Sequence, residues 1–210
     1  YNRKRGKNMN RRISGYDHVP FVSIGLAAVN LAVYVACQVK GDALYNAGCL
    51  GARQVILQKE YGRIIWAMFL HSGVNHIFNN MLLLVTMGSM MEKELGHIRF
   101  GVFYMLSGIG GNLLSLAYKV LLNDRAVSIG ASGAVFGLDG VLLAMVLFGG
   151  KRFVSVTPVR VIFMIGYSLY SGFTGYNIDN AAHVGGLITG FTAGTIWCII
   201  QHRRERKRTV

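Results

Sequence analysis

The stretch Ser128-Ile129-Gly130-Ala131-Ser132-Gly133-Ala134-Val135-Phe136-Gly137 opens an apolar run that reaches Gly149 and is broken by one charge, Asp139. A serine between small residues at the mouth of a hydrophobic helix has two readings. Gly, Ala and Ser let helices approach closely in a membrane, so Ser132 can be a packing residue. It can also be a nucleophile awaiting a base. The choice depends on what the rest of the chain brings to the same depth.

Further long apolar runs lie on both sides of this one. The 210 residues are 52% hydrophobic and only 15% charged, where a soluble domain carries about 25% charge. Mean hydropathy is +0.40. Glycines number 27 against two prolines, and Gly is commoner in membrane helices than in soluble ones. The pattern predicts an all-α, polytopic membrane protein with spans at about 21–39, 74–91, 100–122, 132–149, 159–172 and 182–201. Residues 1–19 read as a basic arm on the inner side, 20–201 as the helical core and 202–210 as a basic inner tail. Pro20 suits a helix start, because its missing N–H would be an orphan there. The first apolar run reads as a span and not as a cleaved leader, since no clear small-residue cleavage site follows it. The long first connection, 40–70, is expected to hold short helices lying in the interface, while 92–97 and 123–129 read as loops. Cys37, Cys49 and Cys198 have no metal or redox spacing.

The net charge of +13 invites a nucleic-acid reading. Its placement argues against one. Arg3, Lys4, Arg5, Lys7, Arg11 and Arg12 crowd the start, and Arg203, Arg204, Arg206, Lys207 and Arg208 the end. With six spans both termini share a side, and Lys93, Arg99, Lys151, Arg152 and Arg160 join them there. That is the positive-inside pattern, which predicts cytoplasmic termini, with the lipid bilayer as partner and no nucleic acid. A bacterial cell membrane fits best, an organellar inner membrane being the other option.

Polar groups within spans are costly and are functional candidates. On this topology Ser132, His183, His76 and Asn80 all fall at the outer ends of three different spans. His76 and Asn80 are four apart and share a helix face. His183, Gly186 and Gly190 form a stripe on the last span, and Ser132, Phe136 and Asp139 share a face beside Gly133, Gly137 and Gly140. Two glycine-rich stripes can pack together and bring Ser132 to His183. A histidine at hydrogen-bond distance is a suitable general base for a serine. The Asn80 amide and the His76 ring are suitable oxyanion donors, with the Ser132 backbone N–H a third. His71 is read as a loop residue. Nothing plays an obvious buried Asp, so a Ser-His dyad is the simpler arrangement, with no metal or cofactor. A small transporter would place charges through the whole depth and show internal repeats, and neither is seen.

Taken together, these stretches resemble the rhomboid intramembrane serine proteases over nearly all of residues 20–200. His76-Ile77-Phe78-Asn79-Asn80 is similar to that family's His-x-x-x-Asn signature. Gly130-Ala131-Ser132-Gly133 resembles its Gly-x-Ser-Gly, and Ala182-His183-Val184-Gly185-Gly186 with Gly190 its Ala-His-x-x-Gly-x-x-x-Gly. The resemblance implies a six-helix bundle, Ser132 as nucleophile, His183 as base, and His76 and Asn80 at the oxyanion. It also implies that Phe136 stacks on the catalytic histidine and that span five gates single-span or multi-span membrane-protein substrates. The chain departs from the family's usual Trp-Arg at Gly62-Arg63, and from its Glu-x-Arg at Glu92-Lys93-Glu94. A non-catalytic relative that only binds membrane helices would typically lack the serine or the histidine.

Overall fold

The computed structural model describes residues 19–149, 163, 166–168, 170 and 178–207. Its elements in chain order are α1 (Phe21–Lys40), α2 (Asp42–Gly48), α3 (Ala52–Ile56), α4 (Arg63–Trp66), a 3-10 turn (Ala67–Phe69), α5 (Val74–Leu95), α6 (His97–Leu121), α7 (Ser132–Phe148) and α8 (Asn180–Arg206). The protein is an all-α, polytopic membrane protein.

α7 is the centre of the bundle. It is apolar all round, and a helix of that kind is stable only when neighbours cover it. Every residue from Gly133 to Leu142 is buried, against α6 and α8 with α5 alongside. At 17 residues it is short. It covers about 25 Å, less than the ~30 Å hydrocarbon thickness, so its two ends cannot both reach the membrane faces. α1, α6 and α8 are long and apolar enough to cross. α5 has the length, at 22 residues, but His76, Asn79 and Asn80 dilute its hydropathy.

α1 is apolar on its exposed face and carries polar residues inward. On α1, Val29, Leu31 and Val35 are exposed while Ser23 and Asn30 are buried. The core between helices is filled by Leu84, Met87, Met91, Phe100, Tyr104, Leu138, Leu142 and Met145.

Three boundaries differ from the sequence-based expectation. Residues 92–97 are not a loop: α5 runs to Leu95, and Gly96 alone, at φ +81°, turns the chain into α6. Glu92 is the reason. It is fully buried, and its carboxylate accepts the Val22 N–H at 2.9 Å, the Ser23 N–H at 3.0 Å and the Ser23 hydroxyl at 2.6 Å. His97 bonds it as well. A charge therefore sits inside the bundle, because one turn of helix delivers it to backbone donors on α1. Second, α6 begins at His97 and not near residue 100. Third, the tail expected at 202–210 is helical through Arg206. No Gly or Pro follows Gln201 to stop α8, and cations in its last turn suit the negative end of the helix dipole. The expected fifth span, 159–172, lies mostly outside the described residues, although Phe163, Gly166, Tyr167, Ser168 and Tyr170 are helical.

The first connection folds into the short helices α2, α3 and α4 and the 3-10 turn. Arg63 organises it: this buried guanidinium donates to the carbonyls of Asn46 at 2.7 Å and Cys49 at 2.9 Å and pairs with Glu60. The connection also meets the segment that leads into α7. Leu50 and Ser128 exchange two backbone hydrogen bonds of 2.9 Å, and the Gly130 N–H donates to the Ala67 carbonyl at 2.8 Å.

Candidate active site

Ser132 is the first residue of α7. The bonds at Ser128 and Gly130 fix the backbone just before it. Gly130 has φ +122°, and a Cβ there would lie 2.7 Å from His76 Nε2 and 3.7 Å from Ser132 Oγ. Only glycine serves at that position, since any side chain there would run into the His76 ring.

His183 lies one turn into α8. Its ring stacks flat on Phe136, with centroids 4.1 Å apart and planes 6° from parallel. Phe136 is one turn along α7 from Ser132, so the imidazole stands beside the serine's own helix. The two backbones cross closely here. A Cβ on Gly133 would be 3.3 Å from the Ala182 carbonyl oxygen, and Cβ atoms on Gly186 and Gly190 would collide with the carbonyl oxygens of Gly133 and Gly137. The two glycine stripes thus pack on each other, with Ser132 and His183 flanking the crossing. Among the described residues, no hydrogen bond joins Ser132 to His183, and His183 Nδ1 is buried without a partner.

On α5, His76 Nδ1 lies 3.1 Å from the Ser72 hydroxyl. Asn80, one turn on, is buried, and its Nδ2 has no hydrogen-bond partner among the described residues. An unpaired amide donor inside a bundle is expensive. Tyr167 donates to Asn79 Oδ1 at 3.4 Å, which links the fifth span to α5. Asp139 lies farther along α7, buried, with the buried Ser168 hydroxyl as its polar neighbour. His18 falls outside the described residues. His97 and His202 lie at the opposite end, bonded to Glu92 and to the Cys198 carbonyl.

Sequence reasoning passed over two groups. His71, read as a loop residue, is buried, and its ring stands edge-on to His76 with centroids 5.0 Å apart. Burial pushes its pKa down to about 3, and the neighbouring His76 adds to this against the Phe69 backbone. No periodicity marks a loop side chain, so nothing in the sequence separated His71 from an exposed histidine. Asp179 precedes α8, and its Oδ1 accepts the Ala182 N–H at 2.9 Å. Its signal was present: Asp is a favoured helix N-cap, bonding an amide two or three residues on. Among the described residues, no cluster of three or more His, Cys, Asp or Glu side chains is placed to hold a metal ion.

A family model for the Rhomboid domain matches residues 58–200. The chain belongs to the rhomboid family. It is similar to the putative rhomboid protease YdcA of Bacillus subtilis (strain 168), 30% identical over 203 residues that cover 97% of this chain and 98% of the relative. RHOMBOID-like protein 1 of Arabidopsis thaliana is 38% identical over 158 residues, 74% of this chain and 39% of the relative. Rhomboid protease GluP of Bacillus subtilis (strain 168) is 37% identical over 145 residues, 68% of this chain and 28% of the relative. The chain spans about half the length or less of most of the curated relatives it matches. Rhomboid membership agrees with the helical membrane fold, and the matched segment contains Ser132, His183, His76 and Asn80.

Proposed function

We propose that this chain is an intramembrane serine endopeptidase that hydrolyses peptide bonds in or near transmembrane segments of membrane-protein substrates. The observation that carries the reading is the His183 ring stacked on Phe136, at the Gly133–Ala182 crossing beside Ser132. Membership of the rhomboid family and the relatives named rhomboid proteases support it.

Ser132 Oγ attacks the scissile carbonyl carbon while His183 takes the hydroxyl proton. The carbonyl oxygen becomes an oxyanion. Asn80 Nδ2, held unpaired, supplies one donor. In the tautomer protonated at Nε2, His76 supplies a second donor while its Nδ1 accepts from the Ser72 hydroxyl 3.1 Å away. Preorganised donors of this kind are worth about 3–4 kcal/mol each in acyl transfer. Collapse breaks the C–N bond, and His183 returns its proton to the leaving amine. Water, deprotonated by His183, then hydrolyses the acyl-serine and restores the hydroxyl. Among the described residues no carboxylate is hydrogen-bonded to His183 Nδ1, which favours a dyad over a triad. A substrate helix must unwind locally, because its carbonyls are otherwise bonded within the helix. The basic residues at the two ends support cytoplasmic termini and a site near the outer face.

The test is cleavage of a single-span reporter in liposomes by the wild type, Ser132→Ala and His183→Ala, with fluorophosphonate labelling alongside. Cleavage and labelling by the wild type alone are expected. A wild type that neither cleaves nor labels would overturn the protease reading in favour of a helix-binding relative.

A further inference from the structure

We propose that Asp179 is a positioning residue that holds both halves of the Ser132–His183 pair on α6; this rests on the protease reading above. One residue does two jobs. Its Oδ1 caps α8 through the Ala182 N–H at 2.9 Å, and its backbone carbonyl accepts the His183 N–H at 3.2 Å. It thereby fixes the turn that carries the base. Its Oδ2 accepts hydrogen bonds from the hydroxyls of Ser115 on α6 and Ser128. Ser128 lies four residues before Ser132, in the segment braced against Leu50. The two serine hydroxyls are themselves 3.3 Å apart.

Lys119, also on α6 and buried, places its ammonium 3.7 Å from the same Oδ2 and 3.9 Å from the more exposed Asp124. Burial favours the neutral acid. The Ser115 and Ser128 hydroxyls, the Ala182 amide and Lys119 outweigh it, so the Asp179 pKa lies below its ordinary 3.8. An anion so held is a fixed node, since each bond to it is charge-assisted and directional. The serine's loop and the histidine's helix come from segments 51 residues apart in the chain. The Gly–Gly crossing limits their approach and the Phe136–His183 stack orients the ring, and the Asp179 carboxylate adds a hydrogen-bonded tie between the two segments.

The decisive variant is Ser128→Ala. It removes the tie to the serine's loop and leaves the helix cap and the Lys119 pair in place. Ser128→Thr keeps the hydroxyl and serves as the conservative rescue, while Asp179→Asn removes the charge. All are measured in the full chain in liposomes, by kcat and KM on the single-span reporter and by the rate of fluorophosphonate labelling. We expect Ser128→Ala to lose about tenfold in kcat with KM within about twofold, since misplacement of about 1 Å can cost up to ~100-fold. Labelling should slow in step, Ser128→Thr should restore both, and Asp179→Asn should lose at least as much. Variants that lower Tm while the folded enzyme keeps wild-type kcat and labelling overturn the proposal and make Asp179 only a helix cap. Failure of the protease reading is distinguished by an inert, unlabelled wild type, which removes the proposal with it.

Discussion

The two ends of this bundle are held by opposite means. At the end that carries Ser132, α7 and α8 meet where side chains are missing: Gly133, Gly137, Gly186 and Gly190 bring one backbone onto the other. At the opposite end α1, α5 and α6 meet around a buried charge, Glu92, with Val22, Ser23 and His97 bonded to it. Backbone contact sets separation tightly and tolerates no added atom. A carboxylate holds several donors at once, and losing it leaves them unpaired without closing any space. The proposed chemistry sits on the first kind of joint, where a small error in separation moves nucleophile and base together or apart.

The sharpest break of this comparison is Gly186→Val. Its Cβ would run into the Gly133 carbonyl oxygen, an atom of the backbone that carries Ser132. Backbone cannot step aside as a flexible side chain can, so overpacking here should cost at least about 3 kcal/mol. Cleavage should fall below detection even where the protein still folds. The measurement is cleavage in liposomes beside the thermal unfolding of purified protein. Wild-type cleavage by Gly186→Val would mean that the crossing does not set the site.

The joint around Glu92 should respond differently. Glu92→Ala strands two backbone N–H groups and the Ser23 hydroxyl inside the bundle. Unpaired buried donors cost about 1–3 kcal/mol each before relaxation, so a loss near 3 kcal/mol and a clearly lower Tm are expected. Below that Tm, kcat should stay within about twofold of wild type. A large kcat loss in folded Glu92→Ala would show that the two ends are coupled.

How far this contrast was legible in the sequence follows from what each joint is made of. The glycine stripe on the last span is a spacing, and spacing is visible in one dimension; so were Ser132, His183, His76 and Asn80 as polar exceptions in apolar runs. Glu92 and its neighbours read as a loop because a charge cluster after an apolar run usually marks the membrane boundary. The donors that make Glu92 tolerable are 69 and 70 residues away on α1, where no local pattern points to them. His71 was missed for the same reason: its burial is a product of tertiary packing. Asp179 was visible as a turn residue, but its bonds to Ser115 and Ser128 need the folded chain.

His71 also gives the end that carries Ser132 a pH dependence. In the unfolded chain it protonates near 6.5, and in the folded protein only near 3. Between these values the unfolded state binds a proton that the folded state does not, so acid favours unfolding. This contribution is fully present above pH 6.5 and is lost progressively as pH falls towards 3. The Tm of the wild type should therefore decline over that window, and His71→Gln should flatten the decline. An unchanged slope in the variant would assign the acid sensitivity to other groups, Asp179 among them, whose stabilising share is lost only as pH falls below about 3.8.

The smallest expected effect separates Asp139 from Asp179. Asp179 is half-buried and surrounded by donors, whereas Asp139 is fully withdrawn from water with neither oxygen in a formed hydrogen bond among the described residues. A group in that state contributes little that its removal could take away, because replacing an unsatisfied buried polar side chain with an apolar one of similar size is often neutral or stabilising. Asp139→Leu should keep cleavage within about twofold and leave Tm unchanged or raised. Asp139 is nevertheless on the face of α7 that carries Ser132 and Phe136, and Phe136 touches His183. If Asp139→Leu folded with wild-type Tm and did not cleave, a carboxyl behind the histidine would be required, and the dyad would have to be redrawn as a triad. Retained cleavage leaves His183 working without an acid partner, with the fixed Gly–Gly crossing and the Asp179 anchor supplying the orientation that a third residue gives in soluble serine hydrolases.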